Sequence, residues 1–186
     1  MDFDIVSSQE VSTLFREKKI GTFQEAALWI KHLPYRRNDR KHDLAIALKE
    51  GYGTCSTKHA VLKQLALEHE RTEVRLMLCL FRMHAANAPA IEPTLLRYQL
   101  PYIPEAHNCL SVQGTIMDCT HTHSSEKDFA PDLISETEII PQQVAGFKVT
   151  YLKNFYAQWL RQHPGFKYST EELFAIREQC IADLQK

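Results

Sequence analysis

Apolar and polar positions alternate along this chain with two distinct periods. Ser7-Ser-Gln-Glu10 and Thr22-Phe-Gln-Glu25 both fit the S/T-x-x-E capping box. They predict helices over VSTLFREKK and over AALWIKHL, the second stopped by Pro34. The charged stretch Tyr35 to Lys41 reads as a turn, and Leu44 to Leu48 as a short helix. From Cys55, the residues Ala60, Val61, Leu62, Leu65, Ala66 and Leu67 form a helical face. Glu73 to Met83 is an apolar run of strand length. His107 to Val112 and Thr115 to Thr120 predict two strands around the turn Gln113-Gly114.

Elsewhere the pattern is less regular. Met83 to Pro104 carries Pro89, Pro93, Pro101 and Pro104, which predicts a long stiffened loop. Its apolar content leaves two roles open, extra core or a wall beside a substrate cleft, of which the wall is preferred. Thr120 to Pro131 is polar loop. Phe147, Tyr151, Phe155 and Trp159 recur at four-residue spacing, predicting a helix whose aromatic stripe is core. A third capping box, Ser169-Thr-Glu-Glu172, opens a final helix.

Composition narrows the class. The 186 residues suit one domain over 1–186, with 44% hydrophobic and 24% charged residues. A net charge of −1 offers no general attraction to nucleic acid or to an anionic membrane, and no apolar run is long enough to span a bilayer. The N-terminus lacks the basic region of a secretory signal. The five cysteines are scattered with no CxxC, so a cytoplasmic protein with reduced thiols is expected.

The chemistry concentrates in two places. GYGTC, residues 51 to 55, brings a thiol to a helix start behind two glycines. A helix N-terminus favours thiolate, and the glycines permit a tight turn and close approach. In the hairpin, a two-residue turn pairs Val112 with Thr115 and sets Cys109 opposite Asp118. His107 and Asp118 then lie diagonally on one face, their Cβ atoms about 7–8 Å apart or less. An imidazole and a carboxylate can bridge that gap. The His can move the thiol proton, and the Asp can fix its tautomer.

Gly53-Thr-Cys55 at a helix start, His107 entering a strand and Asp118-Cys-Thr120 on the next strand resemble the transglutaminase-like superfamily, in order, over roughly Glu25 to Thr120. The resemblance implies an α+β fold: a papain-like core, an antiparallel sheet packed against the helix that carries the nucleophile, and additional N- and C-terminal helices. It implies a catalytic triad of Cys55, His107 and Asp118 that needs no cofactor or metal. It leaves the reaction open among peptidase, amidase and cross-linking chemistry. The chain departs from the family where Asn108 and Cys109 follow the His in place of an aromatic residue, and it lacks a dense acidic cluster suited to Ca²⁺.

The leading expectation is a thiol-dependent amide hydrolase or acyltransferase acting on a peptide, protein or small amide. Asn38 and Tyr52 are the upstream side chains considered as second oxyanion donors. Two alternatives stay open. One is a catalytically silent binding domain of the same fold. The other is a metal-binding protein using Cys119, His121 and His123, which alternate along the chain, with His59 one helical turn after Cys55.

Overall fold

The computed structural model describes residues 1–184; the last two residues of the expected 1–186 domain lie outside the described residues. The chain is α+β. A four-stranded antiparallel sheet, ordered β3-β2-β1-β4, is accompanied by seven α-helices among the described residues. Its residues group into two compact units. The first comprises Met1–Leu78, His107–Glu126 and Glu136–Ala145; the second comprises Cys79–Ala106, Lys127–Ser135 and the segment from Gly146 onward. No helix among the described residues is long and apolar enough to cross a membrane.

The first unit is built around one buried helix. α1 (Glu10–Glu17), α2 (Phe23–His32) and α3 (Ile46–Glu50) pack on α4 (Cys55–Leu67), as does the 3₁₀ turn Pro141–Val144. In α4 every residue from Cys55 to Lys63 is buried, with Leu65 and Ala66. A helix covered all round shows no clean amphipathic stripe. Its polar members must therefore find partners inside the protein.

The capping boxes divide in an instructive way. Thr22 and Glu25 close reciprocally, Glu25 N–H donating to Thr22 Oγ1 at 3.3 Å and Thr22 N–H to Glu25 Oε2 at 3.1 Å. The box expected at Ser7 does not form, and α1 begins at Glu10 with no side-chain cap. Glu68, beyond the end of α4, replaces it. Its buried carboxylate accepts from Val11 N–H at 3.1 Å and from Ser12 N–H at 2.7 Å. Tertiary contact supplies what the local motif was expected to supply. α3 starts two residues later than its apolar pattern suggests. Asp43 Oδ1 takes the Ala45 N–H at 3.0 Å and holds the preceding residues in a turn.

The hairpin forms in the expected register. β2 (Ile103–Val112) and β3 (Thr115–Met117) pair Val112 with Thr115, Ser111 with Ile116 and Leu110 with Met117. Gln113 and Gly114 have φ of 52° and 84°, as a two-residue hairpin turn requires. β3 stops short of the expected Thr120 because Asp118 Oδ1 accepts the Thr120 N–H at 2.9 Å. That side-chain bond makes an Asx-type turn in place of the ladder. β1 (Val74–Met83) matches its apolar run. β4 (Leu133–Ile139), an edge strand buried only at Ile139, has no strand signature in its sequence.

In the second unit, the stretch expected as a long loop is helical. A 3₁₀ turn, Pro89–Ile91, leads into α5 (Glu92–Tyr98), which packs on α7 (Thr170–Asp183). Pro89 and Pro93 sit in the first turns of these two helices, where a missing N–H costs nothing. Ile91, Leu95, Leu100 and Ile103 are buried, so these apolar residues are core. α6 (Gly146–Gln162) buries Lys148, Leu152 and Tyr156. The aromatic stripe expected in the core is one position off that face; Phe147 is 38% exposed, and Tyr151, Phe155 and Trp159 are half-buried. Tyr156 earns its burial through a 2.7 Å bond from its hydroxyl to the Pro104 carbonyl.

The two glycines before Cys55 have different duties. Gly51 ends α3 at φ 70°, with open space around a would-be Cβ. A Cβ on Gly53 would meet Thr57 Oγ1 at 2.7 Å and Lys58 Cγ at 3.1 Å. Gly53→Ala is expected to destabilise by about 1–3 kcal/mol through overpacking, and Gly51→Ala by about 1 kcal/mol through backbone strain. Urea unfolding of both variants measures this. Equal, negligible losses would contradict the close packing.

Candidate active site

The position of Cys55 is set by the turn that leads into it. Pro34 and Tyr35 run beside Gly53, with Gly53 N–H donating to the Pro34 carbonyl at 3.1 Å and Arg36 N–H to the Gly53 carbonyl at 3.2 Å. Buried Asn38 accepts from Thr57 Oγ1 at 2.7 Å and donates to Glu50 at 2.9 Å and to the Tyr52 carbonyl at 3.0 Å. Thr57 Oγ1 also takes the Thr54 N–H at 3.1 Å. The turn before α4 is thereby fastened to the helix's first turn, and Cys55 becomes the first helical residue. Both side-chain N–H groups of Asn38 are engaged in this brace, and the Tyr52 hydroxyl bonds Glu50. The two residues considered as oxyanion donors are thus structural here.

The three expected site residues come together. His107 Nε2 lies 3.0 Å from Asp118 Oδ2, and the Cys55 side chain is near enough to the same imidazole to act on its charge. With Nε2 turned to the carboxylate, Nδ1 is the nitrogen left to face sulfur. Asp118 is 6% exposed, and its other oxygen accepts from Thr120 N–H and, at 2.6 Å, from Thr120 Oγ1. Burial by itself would raise this carboxyl's pKa. The His107 charge and hydrogen bond, then the nearby His59 and the Thr120 hydroxyl, overcome it and hold it well below the usual carboxylate range. Burial likewise opposes charge on His107, yet Asp118 and Cys55 together raise it well above its ordinary 6.5. By reciprocity, an imidazolium beside Cys55 favours the thiolate.

Two further residues fix this geometry. Lys58, fully buried, donates from Nζ to the Leu33 carbonyl at 2.5 Å and the Thr120 carbonyl at 2.7 Å. Burial pushes its ammonium down to about 8, against support from Cys119, Asp118 and Cys55. His59, also fully buried, joins the Cys55 carbonyl to Nδ1 at 2.7 Å and accepts the Cys119 N–H at Nε2, also at 2.7 Å. These contacts define its neutral tautomer, with the proton on Nδ1. Side by side on α4, Lys58 and His59 hold the segment just after Asp118 against the helix that carries Cys55. A lysine and a histidine inside a helix buried all round are a sequence signal for such a tie, because neither group is stable there without partners. Sequence reasoning considered His59 only as a metal ligand and passed over Lys58.

The residues of the metal alternative are not assembled. β3 ends at Met117, so no strand face aligns Cys119, His121 and His123. Cys119 is buried, with burial and Asp118 pushing its thiol up to about 12, whereas His121 and His123 are exposed. Among the described residues no group of three His, Cys, Asp or Glu side chains could hold a metal ion. A surface groove of about 910 Å³ in the first unit is lined by residues 2 to 4, 6 to 8 and 68 to 71 and includes none of Cys55, His107 and Asp118. No protein-family model, curated protein or solved structure matches the chain.

The buried tie at His59 predicts an acid limb of stability. Burial, outweighing the attraction of Asp118, lowers this imidazole from 6.5 to about 4. Between those values the unfolded chain binds a proton that the folded chain refuses. Stability therefore falls as pH drops from 6.5 towards 4, by an amount on the order of 3 kcal/mol. Urea unfolding across that window measures the loss, and His59→Gln is expected to flatten it. An equal slope in both proteins, or a His59 ring shown by NMR to titrate near 6.5, would contradict the assignment.

Proposed function

We propose that this chain is a thiol-dependent amide hydrolase or acyltransferase of transglutaminase-like type, using Cys55, His107 and Asp118. The observation that carries the reading is one cluster: a cysteine at a helix N-terminus, beside an imidazole whose charge it helps to sustain and whose Nε2 meets a buried carboxylate. The fold class and the hairpin register support it.

The chemistry follows from those contacts. Cys55 thiolate attacks the carbonyl carbon of a carboxamide or peptide bond, and the carbonyl π pair moves to oxygen. The Cys55 backbone N–H, in the first helical turn where no intrahelical acceptor exists, stabilises that oxyanion together with the helix dipole. His107 gives its proton to the departing amine as the C–N bond breaks, leaving a thioester. Neutral His107 then takes a proton from water, or from an acceptor amine, as that nucleophile attacks the thioester. Cys55 leaves as thiolate and the imidazolium is restored. Asp118 keeps Nε2 protonated and oriented throughout, so Nδ1 is the nitrogen that exchanges the proton.

Cys55 is also the most exposed of the five cysteines, at 6% against 2% or less for the others. Limited iodoacetamide treatment with peptide mapping is expected to label Cys55 first. Asp118→Asn is expected to lower turnover of an amide substrate by roughly 10²- to 10⁴-fold while leaving the fold intact. Labelling spread evenly over the cysteines would remove the nucleophile. Selective labelling with no turnover of any amide or ester would leave the silent binding domain.

A further inference from the structure

Lys58 and His59 bond α4 to backbone groups just after Asp118, and neither hydrogen-bonds β2, the strand that carries His107. A different pair does. Ser56 follows Cys55 on α4, and Asn108 follows His107 on β2. Ser56 Oγ donates to Asn108 Oδ1 at 3.0 Å, and Asn108 Nδ2 donates to the Met77 carbonyl of β1 at 3.1 Å. Asn108 is fully buried and Ser56 is 5% exposed. All of these residues belong to the first unit.

The direction of the bonds is fixed by their far end. A backbone carbonyl only accepts, so the Asn108 amide turns its NH₂ to Met77 and its oxygen to Ser56. Ser56 is then the donor, and its hydroxyl oxygen lies 4.0 Å from Cys55 Sγ. The chain of bonds thus begins beside the thiol, crosses to the residue next to the imidazole and ends on the neighbouring strand. Buried as they are, these bonds face little competition from water.

The separation they span has chemical weight, because Cys55 and His107 act on one another's charge. At an effective dielectric constant of about 20, opening a thiolate–imidazolium pair by about 1 Å lowers the thiolate fraction roughly fivefold. We propose that Ser56 and Asn108 are positioning residues, a strut between the helix that presents the thiol and the strand that presents the imidazole, and that this strut sets the Cys55–His107 separation. The proposal rests on the reading of Cys55 as the nucleophile.

The test is the pH profile of iodoacetamide alkylation at Cys55, read by peptide mapping on the full chain, with urea unfolding alongside. In the unaltered protein the rate should rise at a midpoint below the ordinary thiol value of about 8.5. Ser56→Ala and Asn108→Leu should each raise that midpoint by about 0.7 pH unit, with the rate above the midpoint unchanged within about twofold. The double variant should shift no further than either single change, because the same bond is lost in all three. It also leaves neither partner of that bond facing an apolar side chain, which favours folding. A folded variant whose midpoint is unmoved, or whose rate falls by one factor at every pH, makes the pair structural support alone and overturns the proposal while leaving Cys55 as nucleophile. Hydrogen exchange in the unaltered protein decides the matter if the variants fail to fold. The Asn108 side-chain amide protons should exchange about 10²-fold or more slowly than those of free asparagine; exchange at the free rate overturns the strut. An unaltered Cys55 that titrates as an ordinary thiol, or fails to label, overturns the nucleophile and the proposal together.

Discussion

An ionised carboxylate held almost out of water is the constraint on which this site depends. Asp118 would be costly if left alone, so each of its oxygens must have donors. One faces His107, and the other receives both hydrogen-bond donors of Thr120. The Thr120 contacts end the strand, and the His107 contact orients an imidazole towards Cys55. Charge on His107 is sustained by the carboxylate despite burial. Removing the carboxylate's charge thus alters the imidazole and, through it, the thiol.

The helix beneath makes that balance rigid. From Cys55 to Lys63, α4 has no solvent-facing side to receive polar residues, and its polar members there act as ties. Thr57 reaches Asn38 in the approach loop, Lys58 reaches the carbonyls of Leu33 and Thr120, and His59 reaches the Cys119 N–H. Just past its C-terminus, Glu68 caps α1. One element therefore presents Cys55, clamps the segment that follows the carboxylate, and holds the helices around it. The neutral tautomer of His59 belongs to the same economy, because an acceptor is needed at Nε2 and a donor at Nδ1.

What the sequence made legible follows from which forces are local. The hairpin register could be counted because a two-residue turn leaves no freedom in pairing, and that count placed His107 beside Asp118. The helix starts at Thr22, Cys55 and Ser169 were legible because their signals lie within one turn. Ser7 misled because Glu68, far along the chain, caps α1 more completely than a serine can. Pro89 and Pro93 were read as loop stiffeners, although proline is equally at home in a helix's first turn. The α6 stripe has the right period but the wrong phase, since Tyr156 rather than its aromatic neighbours meets the core. β4 is an exposed edge, so its residues carry little burial pattern. Lys58 was hidden by its type: a lysine is read as solvated until partners in distant segments are known.

The central claim is that His107 stands as an imidazolium between a carboxylate and a thiol sulfur. Nitrogen NMR of the His107 ring at pH 7.5 tests it most directly. The account predicts protons on both ring nitrogens at that pH, above the ordinary 6.5 for histidine, with the Nε2 proton shifted as expected for a short bond to a carboxylate. A neutral ring at pH 7.5, titrating near 6.5 and unaffected by Asp118→Asn, would contradict it.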